Sequence, residues 1–487
     1  MTVRDTVLQK IAKRCELRLS LENQFTPECL SEIEGLLHDV YSSRQPKPND
    51  YEDRLQLIGL ITDISKELYG NSEYPTVEEY GSFVMDIFTA DSDLDLSVNL
   101  TATQARVSRD MMVKALIKLA EKFRLLQSRG FFRDLKRVLG ARVPIIKAVH
   151  CDSGSECDIS IENMDGIKKS RIIKIICGID LRFQRLSFMM KAWAKAHQIN
   201  SAKTKTLNSL SIISLVAFHL QTREPPILPP FSAIFKDGTD PEAVMEIARK
   251  CVDYGKNNSE STADLFISLL VKLASVKQYW SKGLCASTFF GTWILKVWGN
   301  EFGYLSVEDF ITRSENVARA VNREQLDRIY DCINNSLNHL ARFKDGRLQK
   351  SELRELLFGL DPIIRPKTKF IRRPKGFKSK TRAQTLRATR KRKRRAERRK
   401  TAQEPSTVSP NNVITPPSLL NSLPNTNAGL PAMPTPRWTQ EGRYAGVQST
   451  PTFFWPQQVG NIFGQVTAAP ISQPGLINSQ NGKSFVP

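Results

Sequence analysis

Between residues 26 and 70 the apolar positions recur at helical spacing. Leu30, Ile33, Leu36 and Leu37 form one stripe, and Leu55, Ile58, Leu60, Ile61, Ile64 and Leu68 another, separated by the breaker segment SSRQPKPND. From Glu73 the texture shortens into strands. In SDLDLSVNL, Leu94, Leu96, Val98 and Leu100 alternate with Asp93, Asp95, Ser97 and Asn99, the period of a strand with one apolar face. ARVPIIKAV and ECDISI predict two further strands. Beyond about residue 166 helical patterns run to Leu360, among them RFQRLSFMMKAWAKAH, the largely apolar TLNSLSIISLVAFHL and the amphipathic REQLDRIYDCINNSLNHLARF. Helices, then strands, then helices predict an α+β fold.

Composition alters this picture in one place. The 487 residues carry a formal net charge of +21, yet residues 365–400 hold 19 basic side chains against the single acid Glu397 and so account for +18 of it. A concentrated block reads as an appendage on a near-neutral body, where a uniformly basic surface would have suggested an electrostatic binder without separate chemistry. Residues 401–487 are rich in Pro, Thr, Ser, Asn, Gln and Gly with few charges, a composition that predicts disorder. The eight cysteines are scattered with no CxxC pair, which argues against a disulfide framework or zinc motif. The first residues lack the apolar core of a signal peptide, and no run of about 18 apolar residues occurs. An intracellular, reducing environment away from membranes is expected, in the nucleus, the cytoplasm or both.

The candidate chemistry lies on the strands. Carboxylates at i and i+2 of a strand point to one face, so Asp93 and Asp95 present their oxygens side by side, within reach of shared divalent cations. A third strand carboxylate, Asp158 of CDIS, completes the candidate set. The alternative, a solvated edge-strand face, is disfavoured because the polar positions hold aspartates where strands favour threonine. Asp91 precedes the alternating run and reads as a loop residue. Gly81 and Ser82, placed after a helical stretch, could bring backbone N–H groups and a hydroxyl to a phosphate. On the KAWAK helix Ser187, Lys191 and Lys195 share one stripe able to hold a triphosphate, although a solvated helix face accounts for the pattern equally well. In TLNS, Thr206 is the expected N-cap, with Asn208 and Ser209 in the first turn.

With these residues assembled, the chain resembles the DNA polymerase beta-like nucleotidyltransferase superfamily, within it the cytoplasmic-type poly(A)/poly(U) polymerases, and most closely the plant small-RNA terminal uridylyltransferases. The resemblance runs over about residues 26–345 and is carried by GSFVMDIFTADSDLDLSV, ARVPIIKAV, CDISIENMDGIKKS, RLSFMMKAWAKAHQINSAKTKTLNS, PPILPP and LSVEDFITRSENVARAV. It implies a mixed-sheet nucleotidyltransferase domain (51–165) and a mainly helical central domain with a PAP-associated region (166–360), the nucleotide lying between them. Residues 1–50 would form a helical segment on the central domain, followed after residue 360 by the basic segment (361–402) and the tail (403–487). By resemblance Asp93, Asp95 and Asp158 are catalytic and bind Mg²⁺ or Mn²⁺, and Asp158 deprotonates the RNA 3′-hydroxyl for in-line attack on the α-phosphate. The family's nucleotide contacts map to Gly81, Ser82, Asn163, Lys191, Lys195, Ser209 and Asp309.

Departures from the family concern the base. Leu210 stands where a tyrosine usually stacks, which removes a contact on the order of 1–3 kcal/mol. Phe310, Ile311 and Thr312 replace Pro-Phe-Glu, and Glu315 stands where some uridylyltransferases carry a histidine that disfavours ATP. A glutamate accepts a hydrogen bond from the adenine amino group but faces the uracil carbonyl unfavourably. The expected activity is therefore addition of U to RNA 3′ ends from UTP, with adenylation second. A catalytically weak RNA-binding protein of this fold is the reading from a different class. The cluster Arg390, Lys391, Arg392, Lys393, Arg394 and Arg395 is expected to contact RNA phosphates or to serve nuclear import, and the chain to act as a monomer.

Overall fold

The breaker segment between the first two apolar stripes separates two helices of the computed structural model, which describes residues 3–70, 73–101, 107–299 and 304–360. Helix α1 (Val3–Glu22) comes first. Helix α2 (Pro27–Arg44) starts where the Thr26 hydroxyl accepts the Cys29 N–H at 3.3 Å and Pro27 takes the first helical position. Helix α3 (Pro48–Tyr69) also has proline at its first position, but there the first-turn Asp50 accepts the N–H of the N-cap Lys47 at 2.8 Å. Its buried row is Arg54, Leu57, Ile61 and Ile64, at spacings of three and four, while Leu55 of the expected stripe is exposed. The basic segment, with Arg390 to Arg395, and the tail lie outside the described residues.

A five-stranded mixed sheet follows. It is formed by β1 (Thr76–Tyr80), β2 (Leu94–Asn99), β3 (Phe132–Val138), β4 (Ile145–His150) and β5 (Glu156–Ile161), in the order β1-β2-β5-β4-β3. Only the β2–β5 pair is parallel. One-turn helix α4 (Ser82–Met85) links β1 towards β2, and α5 (Arg109–Ser128) crosses one sheet face. Leu94, Leu96 and Val98 of β2 pack there with Leu57, Ile61, Leu116, Leu119 and Phe123. The opposite face of β2 is less wet than its polar alternation suggests, because Ser97 and Asn99 are buried and hydrogen-bonded to each other.

The second hydrophobic core is helical. It joins α6 (Met164–Cys177), α7 (Leu181–Ala196), α8 (Ser209–Gln221), α9 (Phe231–Ile234), α10 (Pro241–Arg249), α11 (Thr262–Ser275), α12 (Arg323–Lys344) and α13 (Lys350–Phe358). Apolar residues of α1 and α2, among them Ala12, Ile33 and Leu36, belong to this core and not to that of the sheet. A two-stranded sheet, β6 (Leu284–Ser287) with β7 (Thr292–Leu295), interrupts the helices and was not evident in the sequence pattern. No helix among the described residues is long and apolar enough to cross a membrane.

Candidate active site

The strand register sets a row of side chains across the sheet. Tyr80 of β1 faces Asp95 of β2, Asp95 faces Asp158 of β5, and Asp158 faces Lys147 of β4. Since every second residue of a strand shares a face, Asp93, one residue ahead of β2, joins the same side. One oxygen from each of Asp93, Asp95 and Asp158 lies within 4.8 Å of the others. The three carboxylates predicted from separate segments therefore meet.

Bringing them together is electrostatically expensive. Burial, then the charges of Asp93 and Asp158, push the Asp95 carboxyl well above its ordinary range. Burial raises Asp158 to about 6, against the opposing hydrogen bond from Lys147. The Lys147 ammonium donates to Asp158 at 2.5 Å and lies 3.9 Å from Asp93. Asp158 Oδ1 is buried without a hydrogen-bond partner. An oxygen-only donor set with mutual repulsion and an orphaned buried lone pair fits a divalent cation held by these three residues.

Two features hold the carboxylates in place. Arg54 of α3, 1% exposed, donates to the carbonyls of Ser92 at 2.6 Å, Ala90 at 3.3 Å and Thr89 at 3.4 Å, fixing the turn that delivers Asp93 and Asp95. Its guanidinium also lies over the Phe88 ring at 4.7 Å from the centroid. Gly81 follows β1, not a helical stretch, with φ 74° and ψ −152°, a region that side chains avoid. A Cβ at this glycine would sit 2.1 Å from Asp95 Oδ2. Its N–H is donated to the Ser170 hydroxyl at 2.7 Å, so the glycine is required by the closeness of Asp95 and its N–H does not wait for a phosphate.

Above the carboxylates lies a cavity of about 580 Å³ lined by residues of both cores. Gly81, Ser82, Asp93, Asp95, Asn163, Lys191, Lys195, Ser209, Leu210 and Asp309 all reach it. Lys191 donates to the Ile87 carbonyl at 2.8 Å, and burial lowers it to about 8 against the pull of Asp93 and Asp95. Lys195 pairs with Asp91 at 2.6 Å, which gives that loop residue a role in placing the lysine. Ser187 is fully buried and off the cavity wall. The N-cap of α8 is Asn208, whose side chain accepts the Ser211 N–H at 2.8 Å; Thr206 is instead engaged with the Ser201 carbonyl at 2.9 Å.

Glu315 does not line the cavity. Its carboxylate is gripped by both Arg142 guanidinium nitrogens, one of them at 2.6 Å, and by Arg319 at 3.2 Å, and the Arg142 hydrogen bond holds it below its ordinary range. The arginines themselves face the cavity. Arg109 steadies the turn bearing Arg142 by donating to the carbonyls of Leu139, Ala141 and Arg142 at 2.9, 2.7 and 3.0 Å. Asp309 is also spent internally, on Lys169 at 2.5 Å and on the N–H groups of Ile311 and Thr312 at 2.9 and 3.0 Å.

Lys147, Arg54, Arg142 and Ser170 were not singled out in the sequence. A signal existed for Arg54, since a charged residue occupies a core position of an apolar helical row. Lys147 sits on the polar alternation of IIKAV, but its facing Asp158 depends on strand register, which no local pattern contains.

Residues 33–177 match the family model described as Poly(A) RNA polymerase, mitochondrial-like, central palm domain. Protein HESO1 of Arabidopsis thaliana is 34% identical over 320 residues, covering 61% of this chain and 61% of that protein. Terminal uridylyltransferase 4 of Homo sapiens is 29% identical over 243 residues, 47% of this chain and 14% of that protein. Poly(A) RNA polymerase GLD2 of Homo sapiens is 26% identical over 264 residues, 53% and 54% of the two. The chain thus spans 61% or less of the length of these relatives. Among solved structures, mtPAP in complex with UTP superposes with a TM-score of 0.55 at 17% identity, covering 69% of this chain and 76% of that one. A cytoplasmic RNA terminal U-transferase does so with a TM-score of 0.52 at 21% identity, covering 68% and 99%. At such identities the structural matches establish a shared fold.

Proposed function

We propose that the chain is a nucleotidyltransferase of the DNA polymerase beta-like superfamily and that it adds uridylate to RNA 3′ ends, a reading supported by the palm-domain match, the similarity to these relatives and the shared fold. The observation that carries this reading is the convergence of Asp93, Asp95 and Asp158 beneath a cavity whose walls bear Lys191 and Lys195. Asp93, Asp95 and Asp158 are the residues that would hold Mg²⁺ or Mn²⁺, as an all-oxygen set suits hard cations. Bound there, such ions supply charge neutralisation and Lewis acidity to phosphoryl transfer.

The chain's own residues do the rest. Lys191, Lys195 and Ser209 bind the triphosphate, with Gly81 and Ser82 closing the cavity beside Asp95. Asp158 takes the proton of the RNA 3′-hydroxyl as the new O3′–Pα bond forms, and the bond from Pα to the bridging oxygen breaks to release pyrophosphate. Asn163 stands at the sugar and Leu210 against the base.

Uracil is favoured by what faces the base end. The Glu315 oxygens are committed to Arg142 and Arg319, so at this part of the wall the two guanidinium groups are offered to the base as N–H donors, which suit the uracil carbonyl and oppose the adenine amino group. The name of Terminal uridylyltransferase 4 agrees with this reading, while that of Poly(A) RNA polymerase GLD2 keeps adenylation as its alternative. Purified chain incubated with labelled RNA, Mg²⁺ and each NTP singly should extend with UTP and lose extension in Asp95→Asn. Extension by ATP in preference, or an active Asp95→Asn variant, would overturn the assignment. The block at 365–400 is read as an added phosphate contact and import signal, acting in nucleus or cytoplasm on a monomeric enzyme. Its removal should flatten the salt dependence of RNA binding.

A further inference from the structure

A second concavity, of about 860 Å³, opens between the end of α1, the α11–β6 connection, the exit of β7 and the first turn of α12. Among the described residues four cations line it: Arg18, Lys277, Lys296 and Arg323. The one carboxylate on its wall among the described residues is Asp327, already paired with Lys277 at 2.9 Å. Among the described residues, Arg18, Lys296 and Arg323 make no ion pair, and the single carboxylate Asp327, which feels both Lys277 and Arg323, leaves the lining with a net positive charge. Tyr304, 45% exposed, adds a ring at the same wall.

We infer that this groove binds the phosphodiester backbone of the single-stranded RNA upstream of its reacting 3′ end, an inference that rests on the proposed nucleotidyl transfer. Spaced cations with an exposed ring suit a strand of regularly spaced phosphates carrying stackable bases. A short length of chain links the groove to the catalytic cavity. Arg319 lines the cavity and Arg323 the groove, and four residues of chain place their backbones no more than about 14 Å apart. On this inference a strand whose 3′ end lies at the carboxylates runs past Arg319 onto Arg323, Lys296 and Arg18.

The test uses the full chain carrying Arg18→Gln, Lys296→Gln and Arg323→Gln, three exposed or half-buried positions with no ion pair to lose. Affinity for a labelled single-stranded oligouridylate should weaken, and the slope of log K against log salt should shrink by about 2, from three contacts at roughly 0.7 each. Equilibrium binding of UTP should be unchanged. In the wild-type chain, 4-thiouridine placed several positions upstream of the 3′ end should crosslink to peptides containing Lys296, Tyr304 or Arg323, whereas the same base at the terminus should not. An unaltered affinity and slope, crosslinks only elsewhere, or equal competition by polyglutamate of matched charge would each overturn the inference. Binding and crosslinking are read without turnover. A wild-type chain that binds RNA in the groove yet adds no nucleotide would therefore count against the proposed activity alone.

Discussion

Replacing Gly81 with alanine separates the catalytic role of this glycine from its conformational one. At φ 74° and ψ −152° the backbone strain for a residue with a side chain is about 1–3 kcal/mol. The added Cβ would also lie 2.1 Å from Asp95 Oδ2 and 2.9 Å from its Cγ, where ordinary contact begins at 3.4 Å. The carboxylate must therefore retreat by about 1 Å, and misplacement of this size costs on the order of 10²-fold in rate, or about 2.7 kcal/mol of barrier. Gly130 supplies the control, because its φ is 81° and a Cβ there would meet nothing within 4 Å. Single-turnover extension of labelled RNA, run beside thermal melts, distinguishes the two. Both variants should lose some melting temperature, but only Gly81→Ala should lose about two orders of magnitude in rate. Combining Gly81→Ala with Asp95→Asn should add little further loss, since both act on one carboxylate. A folded Gly81→Ala chain within threefold of wild type, or a Gly130→Ala chain equally impaired, would refute the argument.

Three further expectations follow from the same geometry. Arg54→Met removes the donor that fixes the carbonyls of Thr89, Ala90 and Ser92 and should lower kcat at least tenfold with little change in KM for the nucleotide, Arg54→Lys recovering part of the loss; unchanged kcat in a folded Arg54→Met chain would count against a positioning role. Arg142→Ala should reduce the UTP-to-ATP ratio of kcat/KM by about tenfold, the scale of one lost charged hydrogen bond, and an unaltered ratio would remove Arg142 from base selection. Metal-free protein should respond to pH through Asp95 and Asp158, whose folded values are raised: their favourable contribution is complete below about pH 4 and is lost as pH rises through about 6 for Asp158. The gain in melting temperature on adding Mg²⁺ should accordingly grow from pH 4 to 7 and be much smaller in Asp95→Asn; a pH-independent gain would argue against metal binding at this cluster.

Much of the site was legible because its chemistry is local. Asp93 and Asp95 announce themselves by sharing a strand face, and Lys191 and Lys195 by sharing a helix face. Such spacing is a property of the backbone repeat and survives whatever the element packs against. Glu315 shows the limit of local reading. Its sequence position suggested an acceptor for adenine, yet the structure places it behind Arg142, which is 173 residues away in the chain. Gly81 shows another, since a conformational freedom read as service to a phosphate proved to be clearance for Asp95.

The sequence by itself determined the alternation that carries two aspartates, the helical rows on either side of the sheet segment, and the concentration of charge at 365–400, because periodicity and composition are written along the chain. Only the tertiary structure decided that Asp158 lies beside Asp95, that Lys147 sits on that pair, that Arg54 braces the turn before them, and that Arg18 shares a groove with Arg323. Those relations depend on strand register and on the docking of distant helices. Both are set by how two hydrophobic cores close, and no stretch of neighbouring residues specifies that alone.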